Sequence, residues 1–131
     1  MSNARVVHGP GFSIRYDDEA GYLRAYVSDG TDSLEVSVAM WRMLAAEAAA
    51  VDAARMLVLE DLQGTVPMGE IGQVIDVVLE VAPQGLRVAF VELRDDMEGN
   101  ELGMILCREN GLDCRVFSNE TEARNWLLYG D

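Results

Sequence analysis

Four carboxylates stand at or just beyond the ends of the two most apolar runs in the sequence. They are Glu60, Asp61, Glu92 and Asp95. If the two runs are adjacent parallel strands, these side chains gather at the carboxyl ends of the strands, where open α/β sheets usually bind ligands, and such oxygen atoms suit a divalent cation. No tightly spaced acidic motif accompanies them, so we interpret the cluster as a solvated face. A carboxylate-based hydrolase is an alternative, although no nucleophile stands paired with a base.

The remaining residues offer no set of types that catalysis requires. His8 is the only histidine, so neither a Ser-His-Asp triad nor a multi-histidine metal site can form. All ten basic residues are Arg, and without Lys the chain supports neither a P-loop nor a Schiff base. Cys107 and Cys114 lack metal-site spacing, and we interpret them as free core thiols. We predict no catalytic residue, no metal ligand, no cofactor and no enzymatic activity.

The charge balance limits the class of partner. The 131 residues include 23 acidic and 10 basic side chains, and the net charge of −13 opposes binding to nucleic-acid phosphates and to anionic lipid. No run approaches the roughly 18 apolar residues that a membrane span needs, and the amino terminus lacks the features of a secretory signal. We therefore expect a cytoplasmic protein whose partner is neither nucleic acid nor membrane.

Apolar spacing predicts the strands that position these groups. Residues 1–11 contain the breakers Gly9, Pro10 and Gly11 and are predicted to be a disordered tail, with residues 12–131 forming one domain. Alternating residues on either side of an acidic turn, from Phe12 to Val27, are typical of a β-hairpin. Three later strands are predicted, at Met56–Leu59, Leu86–Leu93 and Asp113–Phe117, of which the first two are apolar runs typical of strands covered on both faces.

Four segments with helical periodicity lie between and after these strands. They span about residues 32–50, 71–79, 101–110 and 119–127. Asp32 with Glu35, and Asn119 with Glu122, have the spacing of capping boxes, and Gly111 is placed to end the third helix. The order β-β-α-β-α-β-α-β-α predicts an α/β fold with a mixed sheet, parallel in its later strands, and helices packed on it.

This order and several local motifs resemble the STAS family, the anti-sigma-factor-antagonist-like domains, and especially their SpoIIAA-like relatives. The resemblance covers residues 12–128. It is carried by the strand Met56–Leu59 with Asp61 and Leu62 at its end, by the sequence MGEIG at 68–72, and by the ending from Glu109 to Leu127. Regulatory members carry a phosphorylated Ser at the start of the second helix. Here Glu70 and Ile71 stand between the two glycines, so the phosphoacceptor Ser is absent and the nearest hydroxyl belongs to Thr65.

The resemblance implies a non-enzymatic regulatory module that meets a protein partner through the loop before the second helix and its first turn. The implied partner-binding residues are Asp61, Thr65, Met68, Gly69, Glu70, Ile71 and Gly72. An acidic residue in a first turn complements the helix dipole, which is the simpler role for Glu70. The alternative hypothesis is that Glu70 keeps the site permanently in a charged state.

Two other functions remain open from the sequence. Trp41, Trp126 and the methionines are residue types that line adaptable apolar sites, so a binder or sensor of a small apolar ligand is an alternative, although helical spacing favours core packing for most of them. An unprotected edge strand would also permit a homodimer.

Overall fold

The computed structural model describes residues 4–94 and 97–130, and within them the chain forms six strands, four α-helices and one 3₁₀ turn. The strands are β1 (Arg5–Gly9), β2 (Phe12–Glu19), β3 (Tyr22–Ser28), β4 (Arg55–Glu60), β5 (Arg87–Glu92) and β6 (Asp113–Phe117). The helices are α1 (Leu34–Ala50), α2 (Ile71–Val81), α3 (Met97–Glu109) and α4 (Glu120–Tyr129), and the 3₁₀ turn, Met68–Glu70, directly precedes α2. The predicted α/β class with a mixed sheet is confirmed.

The six strands follow one another across the sheet in chain order. β1, β2 and β3 are antiparallel neighbours, whereas β3, β4, β5 and β6 run parallel. The two apolar runs are therefore side by side, as the sequence predicts, with Val58 beside Phe90. Because crossovers between parallel strands are right-handed, strands that advance in one direction place their connecting helices on one face of the sheet.

Each face of the sheet has its own core. Residues of α1, α2 and α3 pack on one face, for example Leu44 and Ile75 with Val58. On the opposite face α4 packs Leu127 against a group that includes Leu57. Since side chains alternate along a strand, β4 and β5 must be apolar on both faces, which explains their unbroken apolar runs. No helix among the described residues is long and apolar enough to cross a bilayer.

The amino-terminal segment differs from the sequence-based prediction. The sequence predicts a disordered tail over residues 1–11, but Arg5–Gly9 is a strand that pairs with β2 along its whole length. Pro10 and Gly11 form the turn of this hairpin, and Gly11 has a φ of 87°, which glycine adopts without steric cost. The prediction of a tail is wrong for these residues, because the breakers mark a tight turn between two strands.

Two helix starts also differ from the prediction. Ser33, not Asp32, caps α1, and its hydroxyl accepts from the backbone N–H of Val36. The third helix begins at Met97 rather than near residue 101, so the loop before it is shorter than expected. The cap at Asn119 is confirmed, because its side chain accepts from the backbone N–H of Glu122.

Candidate functional site

The carboxyl ends of β4 and β5 carry two buried carboxylates. Glu60 and Glu92 lie directly beside each other in the parallel ladder, and each is only 4% exposed. Strand alternation places both on the face covered by α1, α2 and α3, two residues beyond Val58 and Phe90. The interpretation of these two residues as a solvated face is therefore wrong. Asp95, the fourth member of the predicted cluster, lies outside the described residues.

Glu92 anchors the start of α3. One carboxylate oxygen accepts from the backbone N–H of Arg94 at 3.0 Å, and the other accepts from the side-chain amide of Asn100 at 2.6 Å. These bonds connect the end of β5 to the loop that follows it and to the first turns of α3. A buried carboxylate needs such donors, since an unpaired charge would cost several kcal/mol. The position of α3 over the sheet edge is thereby fixed.

Asp61 belongs to a different group of contacts on the opposite face of the sheet. Its carboxylate accepts from the hydroxyl of Tyr26 at 2.5 Å and from Nε of Arg94 at 2.8 Å. The Tyr26 hydroxyl, with Arg94 beside it, lowers the pKa of the Asp61 carboxyl, and the same hydrogen bond raises the pKa of Tyr26. The structure thus gives Asp61 an internal role, separate from the rest of the predicted partner-binding set.

The other predicted partner-binding residues lie on one short segment before and within the first turn of α2. Thr65, Met68, Gly69 and Gly72 are exposed, Glu70 is half-buried, and Ile71 is buried in the core. Glu70 occupies the cap position of α2, but its side chain makes no capping hydrogen bond. A carboxylate there still lies close to the positive end of the helix dipole. The structure places Glu70 at the start of α2, which is the position that both roles considered for this residue require.

The exposed segment forms one wall of a groove that we call the Met68 groove. The other wall is the first turn of α3, and the residues lining the groove are Thr65, Val66, Pro67, Met68, Met97, Glu98 and Gly99. The open space between the walls is about 530 Å³. Met68 is 52% exposed although it is a large apolar residue. The contribution of α3 was missed from the sequence, because residues 97–99 were assigned to a loop.

A second, internal space lies between the sheet and the three helices on its larger core. Its walls are mostly apolar, including Trp41 and Phe90, and Asp32, Ser37, Glu60 and Asn100 are its polar lining residues. The free volume is about 60 Å³. An engineered cavity of about 150 Å³ binds benzene, and this space has less than half of that volume, so in its present shape it has room for only about one or two water-sized molecules.

Two polar residues of that internal space are satisfied by each other. Asp32 accepts from the Ser37 hydroxyl at 2.7 Å and from the backbone N–H of Ser33 at 2.8 Å. Both Asp32 and Ser37 are buried, and the bonds tie the first turn of α1 to the preceding loop. Ser37 is a polar residue within the apolar stripe of α1, and this is the sequence signal that could have located the pair.

Cys107 and Cys114 are free and buried in the larger core, and both line the internal space. The two thiols share a hydrogen bond, which lowers the pKa of Cys107 and, together with burial, raises the pKa of Cys114. Across residues 4–94 and 97–130, no three or more His, Cys, Asp or Glu side chains are grouped so that they could hold a metal ion.

Comparison with known proteins adds no relative to this description. No protein-family model, no curated protein and no solved structure matches the chain.

Proposed function

We propose that this protein is a non-enzymatic regulatory module of the STAS-like type, which binds a protein partner at the Met68 groove. The observation that carries the proposal is the exposure of Met68, which lines an open groove. Exposed apolar side chains grouped around a concavity mark interaction surfaces. Met is well suited to such surfaces because its unbranched, polarizable side chain adapts to different partners.

The position of the groove supports the proposal. The groove lies beyond the carboxyl ends of β4 and β5, the edge at which open α/β sheets bind their ligands. Two of the residues that the STAS resemblance implies for partner binding, Thr65 and Met68, line the groove, and Gly69 and Glu70 follow Met68 in the adjoining 3₁₀ turn.

The walls of the groove are held by buried groups. Val66 and Ile71 insert into the larger core on either side of Met68. On the opposite wall, the hydrogen bond from Asn100 to Glu92 ties α3 to the end of β5. A groove formed by anchored walls loses little conformational entropy on binding, which favours affinity.

The alternative functions receive less support from the geometry. The internal space of about 60 Å³ is far below the 300 Å³ or more that is typical of small-molecule pockets, so a binder of apolar ligands would require α3 to move. A hydrolase would need a nucleophile beside a base. Glu92 instead accepts hydrogen bonds that hold the backbone and α3 in place.

The test compares two exposed apolar residues in the native cell. Met68→Ser removes an exposed apolar side chain from the groove, whereas Ile105→Ser removes a side chain of similar exposure, 49% against 52%, from the outer surface of α3. Tagged wild-type protein and both variants are recovered with their partners, which are quantified by mass spectrometry. We expect partners that are lost with Met68→Ser and retained with Ile105→Ser. Identical partner sets for all three proteins would overturn the proposal.

A further inference from the structure

The Met68 groove has apolar lining residues, which we call its floor, and carboxylates on or next to its two walls, which we call its rim. Pro67, Met68 and Met97 supply the apolar surface. The two segments that form the walls, residues 62–72 and 97–104, contain three acidic residues and no Arg, Lys or His. Glu98 lines the groove, Glu70 adjoins Met68 in the 3₁₀ turn, and Glu101 lies about one turn beyond Glu98 in α3.

The rim remains negative when the backbone is included. α2 and α3 both begin at the groove, and each helix start carries a partial positive charge of about half an elementary charge. Glu70 stands at the start of α2 and Glu98 in the first turn of α3, so each half charge is outweighed by a full carboxylate. The charge of the whole chain, −13, adds a field of the same sign.

We infer that the partner presents a cationic segment carrying one large apolar side chain, which enters the groove beside Met68 while Arg or Lys residues meet the acidic rim. This inference rests on the proposed function, because it specifies the partner of the same groove. Charge complementarity of this kind speeds association and selects against partners of the wrong sign.

The same charges argue against other occupants. A second copy of the chain would bring another net charge of −13 toward the rim, and an acidic segment would meet Glu70 and Glu98. Nucleic acid is opposed for the same reason. A neutral apolar segment would fill the floor but would leave the rim carboxylates partly desolvated and unpaired, which lowers affinity.

Three synthetic peptides of seven residues test the inference directly. The first has a central Leu with two Arg on each side and a Gly at each end, the second replaces the four Arg by Glu, and the third replaces the Leu by Ser. Each is titrated into ¹⁵N-labelled full-length protein, and amide shifts are followed by NMR. We expect the Arg peptide with Leu to shift the amides of residues 65, 66, 68–72 and 97–101, Pro67 having no amide proton. The Ser peptide should bind roughly fivefold more weakly, from the burial of a partly exposed side chain.

Variants of the protein distinguish peptide binding at the groove from nonspecific attraction of a cationic peptide to the acidic surface. Met68→Ser should weaken the Leu peptide about fivefold, and Glu70→Gln combined with Glu98→Gln should weaken it further and reduce its dependence on salt. Ile105→Ser should leave the affinity unchanged. Shifts scattered over the acidic surface and insensitive to Met68→Ser would overturn the inference, as would the absence of any groove shift.

The outcomes distinguish this inference from the proposed function. If the Glu peptide binds the groove as tightly as the Arg peptide, or more tightly, the inference of a cationic partner would be overturned, but the groove would remain a docking site. If Met68→Ser loses partners in the native cell and none of those partners binds through a cationic segment, the inference of a cationic partner would again be overturned and the groove would remain a docking site. Identical partner sets for wild type and Met68→Ser would overturn the proposed function itself, and the inference with it.

Discussion

Replacement of Asp61 tests whether this residue holds the fold together or belongs to the partner site. The variant Asp61→Asn keeps the shape of the side chain and removes its charge. In the wild type the carboxylate accepts from Tyr26 at 2.5 Å and from Arg94 at 2.8 Å. A structural role predicts a loss of stability, whereas a role confined to partner binding predicts none.

The expected loss of stability follows from the strength and the exposure of the two interactions of Asp61. A hydrogen bond to a charged group contributes about 1.5–3 kcal/mol, roughly twice a neutral one, and the Asn side chain retains the neutral bond to Tyr26. The ion pair with Arg94 contributes about 0–1 kcal/mol, since that side chain is 47% exposed. We expect Asp61→Asn to lower the free energy of unfolding by about 1–2 kcal/mol at pH 7. Asp76→Asn, at an exposed site on α2, should change it by less than about 0.5 kcal/mol.

The pH dependence provides the sharper check. The pKa of Asp61 is lowered in the folded protein, so its stabilising effect is complete above the ordinary value of 3.8 and is lost as the pH falls through the lowered folded-state pKa. The difference between wild type and Asp61→Asn should therefore be largest at pH 7 and should shrink below pH 3.8. Urea unfolding followed by circular dichroism at both ends of this range measures it. A difference near zero at pH 7, or one that is the same at every pH, would refute the reasoning.

Three further stability predictions use the same unfolding assay. Tyr16→Phe should leave stability unchanged or raise it by up to about 1 kcal/mol, because the buried Tyr16 hydroxyl has no hydrogen-bond partner among the residues that the structure describes, and a loss of more than about 1 kcal/mol would contradict this. The Arg87 guanidinium donates to the carbonyls of Trp126 and Gly130 and lies 3.9 Å from the centre of the Trp126 ring. Arg87→Ala should therefore lower the free energy of unfolding by about 2–3 kcal/mol, and Arg87→Lys by about half of that. Equal losses for the two variants would contradict the role of the planar guanidinium. Leu57→Ala should cost about 2–5 kcal/mol, since Leu57 is fully buried under α4, and a cost below about 1 kcal/mol would show that this face is loosely packed.

The strands and helices that depend on strong periodicity could be predicted from the sequence. Met56–Leu59 and, within Leu86–Leu93, the stretch from Val88 to Val91 are apolar at every position, as a strand covered on both faces requires, and they pair in the structure. The pattern of α2 is equally regular, with its apolar residues on one stripe. β4 and β5 bury nearly all of their side chains and α2 buries one stripe, so packing fixes the composition of those positions.

The amino-terminal strand could not be recognised in the same way. β1 lies at the edge of the sheet, and only part of it contacts the core, so its residues do not alternate between apolar and polar types. Its strand character comes from hydrogen bonds to β2, which a single sequence does not display. The turn residues Pro10 and Gly11 were the available signal, because this pair is typical of a tight turn as well as of a tail.

The candidate site was predicted in part. The exposed segment around Met68 followed from the resemblance, but its second wall did not, because the start of α3 is rich in Gly and acidic residues and lacks an apolar stripe. The burial of Glu60 and Glu92 was missed because carboxylates are usually exposed. Strand alternation was the contrary signal, since Glu60 shares a face with Met56 and Val58.

Photo-crosslinking from within the groove tests the central claim most directly. p-Benzoylphenylalanine is placed at position 68 in one strain and at position 105 in another, and living cells are irradiated before the crosslinked products are identified by mass spectrometry. The proposed function predicts a discrete protein adduct from position 68 that position 105 does not give. The same products from both positions, or none from position 68, would contradict a docking site at the Met68 groove.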